Sequence, residues 1–305
     1  MSFSNDVRNE IIRSLNDKEK RFACLYGMLL FSRTLTAERI CFQTESSIAA
    51  ETFGSLFARI FGAKPECRRT ERRSGTELYI YDITAPDTVN EVFSKYRFTD
   101  GIRAIDSGII ATNSLGVFAG GAFLACGSVN DPQKEYHLEF SVPDDELAAG
   151  LAQLLEDIGV TAGRVVRRGQ FIVYIKGSES IEDTLTFIGA QQCTLELMNV
   201  KIYKDVRNKA NRIANCDSAN IDKVVNAAMK QIEDIKLIAA VSGLDSLSDD
   251  LREVALLRLE NTDMSLKEIG ENLSEPLSRS GVNHRFQKLS KIADSLRCGG
   301  AKNEA

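Results

Sequence analysis

Between Ser278 and Arg297 lie five basic residues and one acidic one, a net +4 inside a chain whose overall charge is −5. Val282, Phe286, Leu289 and Ile292 recur at spacings of four, three and three, which gathers them on one side of a helix. The other side then carries Arg279, Ser280, Asn283, His284, Arg285 and Lys288. Those residue types suit a duplex. A guanidinium forks onto guanine or a phosphate, and an Asn amide pairs with adenine in the major groove. A serine hydroxyl beside the free N–H groups of a first helical turn suits a phosphate oxygen. His284 is expected as a neutral phosphate or base contact. Gly281 removes a side chain where the backbone would approach DNA or a neighbouring helix closely. The same residues also fit a solvated basic face on an ordinary three-helix bundle.

The elements around this helix can be read from caps and periodicity. Ser248 can cap a helix running to about Glu260, with Leu251, Val254 and Leu257 inward. Ser265 begins a second helix with Glu268 three residues on, the spacing of a capping box, and Met264 and Ile269 stand at staple positions. That helix ends near Leu273, the turn is Ser274 to Leu277, and Ser278 caps the basic helix. Leu277 and Val282 are again placed as a staple. Three helices of this kind, with the third one basic, form the footprint of a recognition helix.

A chain of 305 residues, 43% hydrophobic and 27% charged, can bury two cores and is not a disordered protein. Net acidity excludes a uniformly basic coat but not a local basic face. The seven cysteines (24, 41, 67, 126, 193, 216 and 298) include no C-x-x-C pair, and His137 and His284 stand apart. A zinc site and a disulfide framework are therefore not expected, and reduced thiols fit a cytoplasmic chain. The N-terminus carries Asp6 and Glu10 and does not read as a signal peptide. Residues 107–130 are uncharged and long enough to span a bilayer, but their glycines and polar residues read as a loop and a short helix. No dinucleotide or Walker loop is present, and no cofactor, metal or small-molecule substrate is expected.

The first two thirds of the chain contains a repeat. Phe22 to Arg33 and Leu115 to Ser128 are short apolar helices centred on Gly27 and Gly121, 94 residues apart. Strand-like Arg39 to Thr44 is matched by Tyr136 to Ser141. Amphipathic helices follow, ending at Phe61–Gly62 and Ile158–Gly159. Arg68, Arg69, Arg72 and Arg73 then precede a strand at Leu78 to Tyr81, as Arg164, Arg167 and Arg168 precede Ile172 to Ile175. Closing helices fall near Val89 to Tyr96 and Ile181 to Ala190. Each copy reads helix, hairpin or strand, helix, hairpin, helix. The central glycines fit either a small-residue core helix or a pseudo-twofold helix pair joining two half-domains.

That pairing resembles the LAGLIDADG homing endonucleases, in which two such helices meet at a pseudodyad and two saddle-shaped sheets lie on DNA. With Gly27 and Gly121 matched to the motif glycine, the metal-binding acids of the family fall at Ser32 and Cys126. Neither supplies the hard carboxylate oxygen that magnesium needs. Nuclease chemistry is therefore expected to be absent; Glu38 and Asp131 lie nearby but read as solvated acids.

Arg207 to Asn220, Ser280 to Arg285 and Gly127 to Pro132 are similar to segments of the WhiA family. These are bacterial regulators joining a degenerate homing-endonuclease domain to a helix-turn-helix. The resemblance implies an α+β fold: a two-repeat LAGLIDADG-like domain over 1–200 (repeats about 18–97 and 114–195), then an all-α helix-turn-helix over 245–297. Residues 298–305 form a tail. Residues 201–244 are expected as a linker before or including a helix at Ile221 to Ala239; its dense asparagines (Asn208, Asn211, Asn215, Asn220) suit capped turns, or a DNA phosphate track with Arg207 and Arg212.

The resemblance further implies a transcription regulator of sporulation, cell division or chromosome segregation, cytoplasmic and nucleoid-associated, bound to double-stranded DNA. Arg279, Ser280, Asn283, His284, Arg285 and Lys288 would read it. Arg68, Arg69, Arg72, Arg73, Arg167, Arg168, Arg207 and Arg212 would add phosphate or partner contacts. The alternative is a scaffold that docks a transcriptional partner and binds DNA only weakly itself.

Overall fold

The structure, a computed structural model, describes residues 2–72 and 75–300, so Arg73 lies outside the described residues. They divide into two compact units, Met1–Val206 and Arg207–Ala305. In the first unit α1 (Phe3–Arg13) precedes two copies of one motif. The first copy is α2 (Lys18–Leu30), β1 (Thr34–Leu35), β2 (Ile40–Thr44), α3 (Ser47–Phe61), β3 (Cys67–Glu71), β4 (Glu77–Ile83) and α4 (Pro86–Tyr96). The second is α5 (Leu115–Cys126), β5 (Gly127–Val129), β6 (Leu138–Val142), α6 (Asp145–Asp157), β7 (Gly163–Arg167), β8 (Gln170–Ile175) and α7 (Ser178–Phe187). The two four-stranded antiparallel sheets have the same order, β1-β2-β4-β3 and β5-β6-β8-β7.

The glycines of the repeat decide between the two readings of their helices. α2 and α5 pack directly on one another. A Cβ on Gly27 would stand 2.3 Å from the Phe118 carbonyl oxygen, and one on Gly121 would stand 2.1 Å from that of Cys24. Positions 24 and 118 are separated by the same 94 residues as 27 and 121, so the contact repeats itself about a pseudodyad. Backbone-to-backbone packing of this kind leaves no room for any side chain. α1 adds Phe3, Val7 and Ile11 to the shared core at a four-residue spacing. Its Glu10 carboxylate accepts from the Gln192 and Cys193 backbone N–H groups at 2.5 and 3.0 Å. No helix among the described residues is long and apolar enough to cross a membrane, and the uncharged stretch 107–130 divides into loop, α5 and β5.

The expected linker is corrected. α8 runs unbroken from Gln191 to Val241 and holds the boundary between the two units. Asn208, Asn211, Asn215 and Asn220 lie within it and are exposed; they cap no turns. Their helix penalties are each about half a kcal/mol. No Gly or Pro occurs anywhere in those 51 residues to interrupt propagation.

In the second unit α9 (Asp249–Glu260), α10 (Leu266–Glu271) and α11 (Arg279–Gly300) enclose a core with Ile235 and Ile238 of α8. Val282, Phe286 and Leu289 are buried as expected; Ala293 takes the fourth position and Ile292 is half-buried. Ser265 and Glu268 form the capping box. Ser248 stands at the N-cap of α9, but its hydroxyl donates to Asp250 instead of receiving a backbone N–H.

The close approach expected at Gly281 lies elsewhere. A Cβ there would meet Leu277 at an ordinary 3.5 Å, whereas one on Gly270 would stand 2.2 Å from the Leu277 carbonyl oxygen. Hydrogen bonds from the Ser265 backbone and side chain hold the Glu268 carboxyl below the usual Glu range. Its folded pKa is lowered, so its contribution is full above the unfolded Glu value and is lost as pH falls through the folded one. Ser265→Ala should cost the second unit about 1 kcal/mol and shrink this acid-side loss, both measurable as unfolding temperature against pH.

Candidate nucleic-acid interface

Ser278 ends the turn before α11 and accepts from the Gly281 N–H at 3.3 Å. At about 100° per residue the solvent side of α11 is centred on Ser280, His284, Gln287 and Lys291, opposite the buried stripe. All four are exposed, as are their flanking neighbours Asn283 and Lys288. Gln287 and Lys291 were not among the expected contacts. The period that placed His284 outward would have found them.

Three expected contacts lie to the sides. Arg279 and Asn283 line a cleft beside α8. Arg285 turns toward α9: its Nε lies 3.7 Å from an Asp250 carboxylate oxygen, and its Nη1 donates to the Asp250 carbonyl at 3.3 Å. Its side chain is only 17% exposed, so in this geometry it braces α11 against α9 and does not join the outward face.

At the C-terminal ends of the paired helices, the seats of the homing-endonuclease acids hold groups that do not fit a hard divalent cation. Ser32 is buried and its hydroxyl donates to the Thr34 carbonyl at 3.1 Å. The Cys126 thiol donates to the Ala122 carbonyl at 3.3 Å, and burial pushes its pKa up, which keeps it neutral. Arg103 donates to the carbonyls of Leu30, Ser32 and Arg33 at 3.0, 2.5 and 3.3 Å. A guanidinium thus already stands at the end of α2, where it would repel a metal ion. Glu38 is exposed, and Asp131 accepts from the Gln133 N–H at 2.9 Å within its own turn. Among the described residues no group of three or more His, Cys, Asp or Glu is placed to hold a metal.

Comparison with known proteins agrees with this two-part architecture. A model of the WhiA LAGLIDADG-like domain matches residues 115–207, and one of the WhiA C-terminal HTH domain matches 210–293. The "Probable cell division protein WhiA" of Clostridium acetobutylicum is 37% identical, covering 98% of this chain and 100% of its own. Its namesake in Staphylococcus haemolyticus is 37% identical, covering 98% of each chain. The chain belongs to the WhiA family. The full-length DUF199/WhiA structure from "Thermatoga maritima" shares the fold, with a TM-score of 0.57 and 24% identity, covering 97% of this chain and 99% of that one.

In this WhiA chain the sheet arginines do not form one surface. Side chains alternate across a strand, and cross-strand partners share a face. Arg68 pairs with Ile80 and so stands on the open side of the first sheet, away from the buried Tyr79 and Tyr81. Arg69 pairs with Tyr79 and faces the other way, its guanidinium 5.3 Å from that ring. Arg72 is tied to Glu45 at 2.8 Å.

The open side also carries Arg33, which donates to Gln43, and Arg39, held by Asp82 through two hydrogen bonds of 2.7 and 2.9 Å. On the second sheet Arg167 reaches Glu139 at 3.6 Å, and the same carboxylate meets His137 at 3.0 Å. Arg168 sits at the hairpin tip with φ +52°, a left-handed position. Arg207 and Arg212 are exposed on α8.

Proposed function

We propose that this WhiA-family chain is a DNA-binding transcription regulator acting in cell division, and in sporulation or chromosome segregation where the host has those programmes, with the nuclease chemistry of the homing endonucleases lost. The observation that carries the DNA reading is α11. Its outward face presents Ser280, His284, Gln287, Lys288 and Lys291 together, on a helix anchored by a complete apolar core. Hydroxyl, imidazole, amide and ammonium groups along one exposed helix suit base edges and phosphates in a major groove. Asn283 and Arg279 would contact the duplex from the α8 side. The names of the relatives from Clostridium and Staphylococcus support the cell-division assignment.

Selection of duplexes from a random library by the full-length chain tests the reading. A defined sequence should emerge, and Gln287→Ala should relax it at one position. An unenriched pool would move the chain to the scaffold reading. That second reading draws support from the sheets, where Arg39, Arg72 and Arg167 already have acidic partners and Val165 stands exposed on the open side. Supercoiled plasmid incubated with the protein and magnesium should stay supercoiled. Magnesium-dependent nicking that persists through purification would overturn the loss of nuclease chemistry.

A further inference from the structure

Within the second unit, α8, the turn between α9 and α10 and the first turn of α11 enclose a cleft of about 790 Å³. Four cations line it (Lys223, Arg258, Lys267 and Arg279) against one acid, Asp263. Arg258 is 2% exposed. Its Nη1 donates to the carbonyls of Thr262 and Met264 at 3.3 and 2.6 Å, and its guanidinium stands 5.3 Å from the Phe286 ring centre. Among the described residues it has no carboxylate within ion-pairing distance, and its Nε has no hydrogen-bond partner. On the facing helix the Gln231 Oε1 is buried and also without a partner.

An unpaired buried cation and an unsatisfied buried acceptor are each unfavourable, and here both residues line one cleft, with the unsatisfied atoms just beneath its surface. Most of its remaining wall is apolar, with Thr262, Ser265 and Asn283 the polar exceptions: Val224 and Met229 are more than half exposed, and Ile232 and Leu266 are half-buried beside them.

We infer that this cleft is a ligand site for an organic phosphate of mononucleotide size. The phosphate would draw the Arg258 guanidinium outward to join Lys223, Lys267 and Arg279 around it, and a flat ring would lie on the apolar wall and donate to Gln231 Oε1 once that side chain turns into the cleft. A phosphate monoester carries a charge of about −1.5 to −2 at neutral pH, which matches the cationic lining better than a single carboxylate does. Bare phosphate, or a phosphate of the DNA backbone, would leave the apolar wall wet. Arg279 and Asn283 belong both to this cleft and to the flank of the proposed DNA-reading helix.

The test is equilibrium dialysis of the full-length chain, without DNA, against AMP, UMP, adenosine and inorganic phosphate at fixed ionic strength. At least one mononucleotide should bind at a single saturable site, about tenfold or more tighter than adenosine or phosphate, because charge-assisted and ring contacts act together. Arg258→Met should weaken it by about tenfold. Arg258 also holds two carbonyls, so Ala228→Phe, which fills the cleft from α8, is the second variant. It should abolish binding while the unfolding temperature stays within a few degrees. No saturation by either mononucleotide, phosphate binding as tightly as both, or binding undiminished in folded Ala228→Phe would each overturn the site. Since no DNA is present, the outcome is independent of whether α11 reads a duplex.

Discussion

Gly121→Val should abolish the cooperative unfolding transition of the first unit, or lower it so far that the protein is recovered mainly as aggregate. The Cβ that any side chain brings would lie 2.1 Å from the Cys24 carbonyl oxygen and 3.0 Å from its carbon, and both are backbone atoms of a buried helix. Neither can rotate away as a side-chain tip would, so α2 and α5 must separate. That separation opens the core around Tyr26, Phe118 and Phe123, all fully buried. Overpacking commonly costs about 1–3 kcal/mol, and a backbone collision at a central helix pair belongs at or above the top of that range.

Gly27→Ala should behave similarly, because its Cβ meets the Phe118 carbonyl at 2.3 Å. The double variant should lose less than the sum of the two, since the first substitution already parts the helices. Gly150→Ala supplies the contrast. It lies in α6, where a Cβ would meet Ile105 at an ordinary 3.5 Å. There the helix should gain about 0.5–1 kcal/mol from the reduced backbone freedom of the unfolded chain. Calorimetry of the three single variants separates a packing requirement from a general intolerance of glycine replacement. Equal losses at 121 and 150 would remove the helix-pair argument.

The repeat was legible because its evidence is local. Glycine at one spacing, alternation in the strands and arginines before each hairpin survive in both copies, and each signal depends on a handful of neighbours. The helix pair itself is a tertiary contact that no local pattern encodes. Gly27 and Gly121 fit a tight core helix as well as a dyad, and only the carbonyls of Phe118 and Cys24 distinguish them.

α8 was misread for a physical reason: asparagine clusters ordinarily cap turns, yet uninterrupted neighbours of good helix propensity carry four of them through. α1 has a legible signal in Phe3, Val7 and Ile11, which repeat at four, but three apolar residues within 11 are too few to mark a helix on their own. In α11 periodicity places three of the four stripe residues, with Ala293 in place of Ile292, but face assignment by polarity alone sets Arg285 with His284. A long arginine beside the buried stripe can bend back to a partner from another helix, and Asp250 is 35 residues away in sequence. The cleft is invisible in sequence for the same reason, since Arg258 and Gln231 come to line one cleft only through tertiary packing.

Substitutions along α11 should separate three roles that a list of basic residues merges. Lys288→Ala and Lys291→Ala remove exposed ammonium groups that would neutralise phosphates. Each should weaken binding to every duplex alike and lower the slope of log affinity against log salt by about 0.9. Gln287→Ala and Asn283→Ala remove amides that can pair with adenine edges. They should leave the salt slope unchanged and cost about 1–3 kcal/mol on the preferred sequence alone, so that specificity falls toward the non-specific level.

Arg285→Ala should do neither directly. It releases Asp250 from its guanidinium partner and loosens α11 against α9, so the first effect is a lower unfolding temperature of the second unit, worth about 1 kcal/mol for a partly exposed pair. Its salt slope should match the wild type once measured well below that temperature. Titrations of a selected duplex by fluorescence anisotropy at several salt concentrations, with an unfolding scan for each variant, read all three. A reduced slope in Arg285→Ala with unchanged stability would return that residue to the phosphate backbone. Unchanged affinity in both lysine variants would place the DNA contact elsewhere, with Arg68 and Arg33 on the open sheet the next residues to replace.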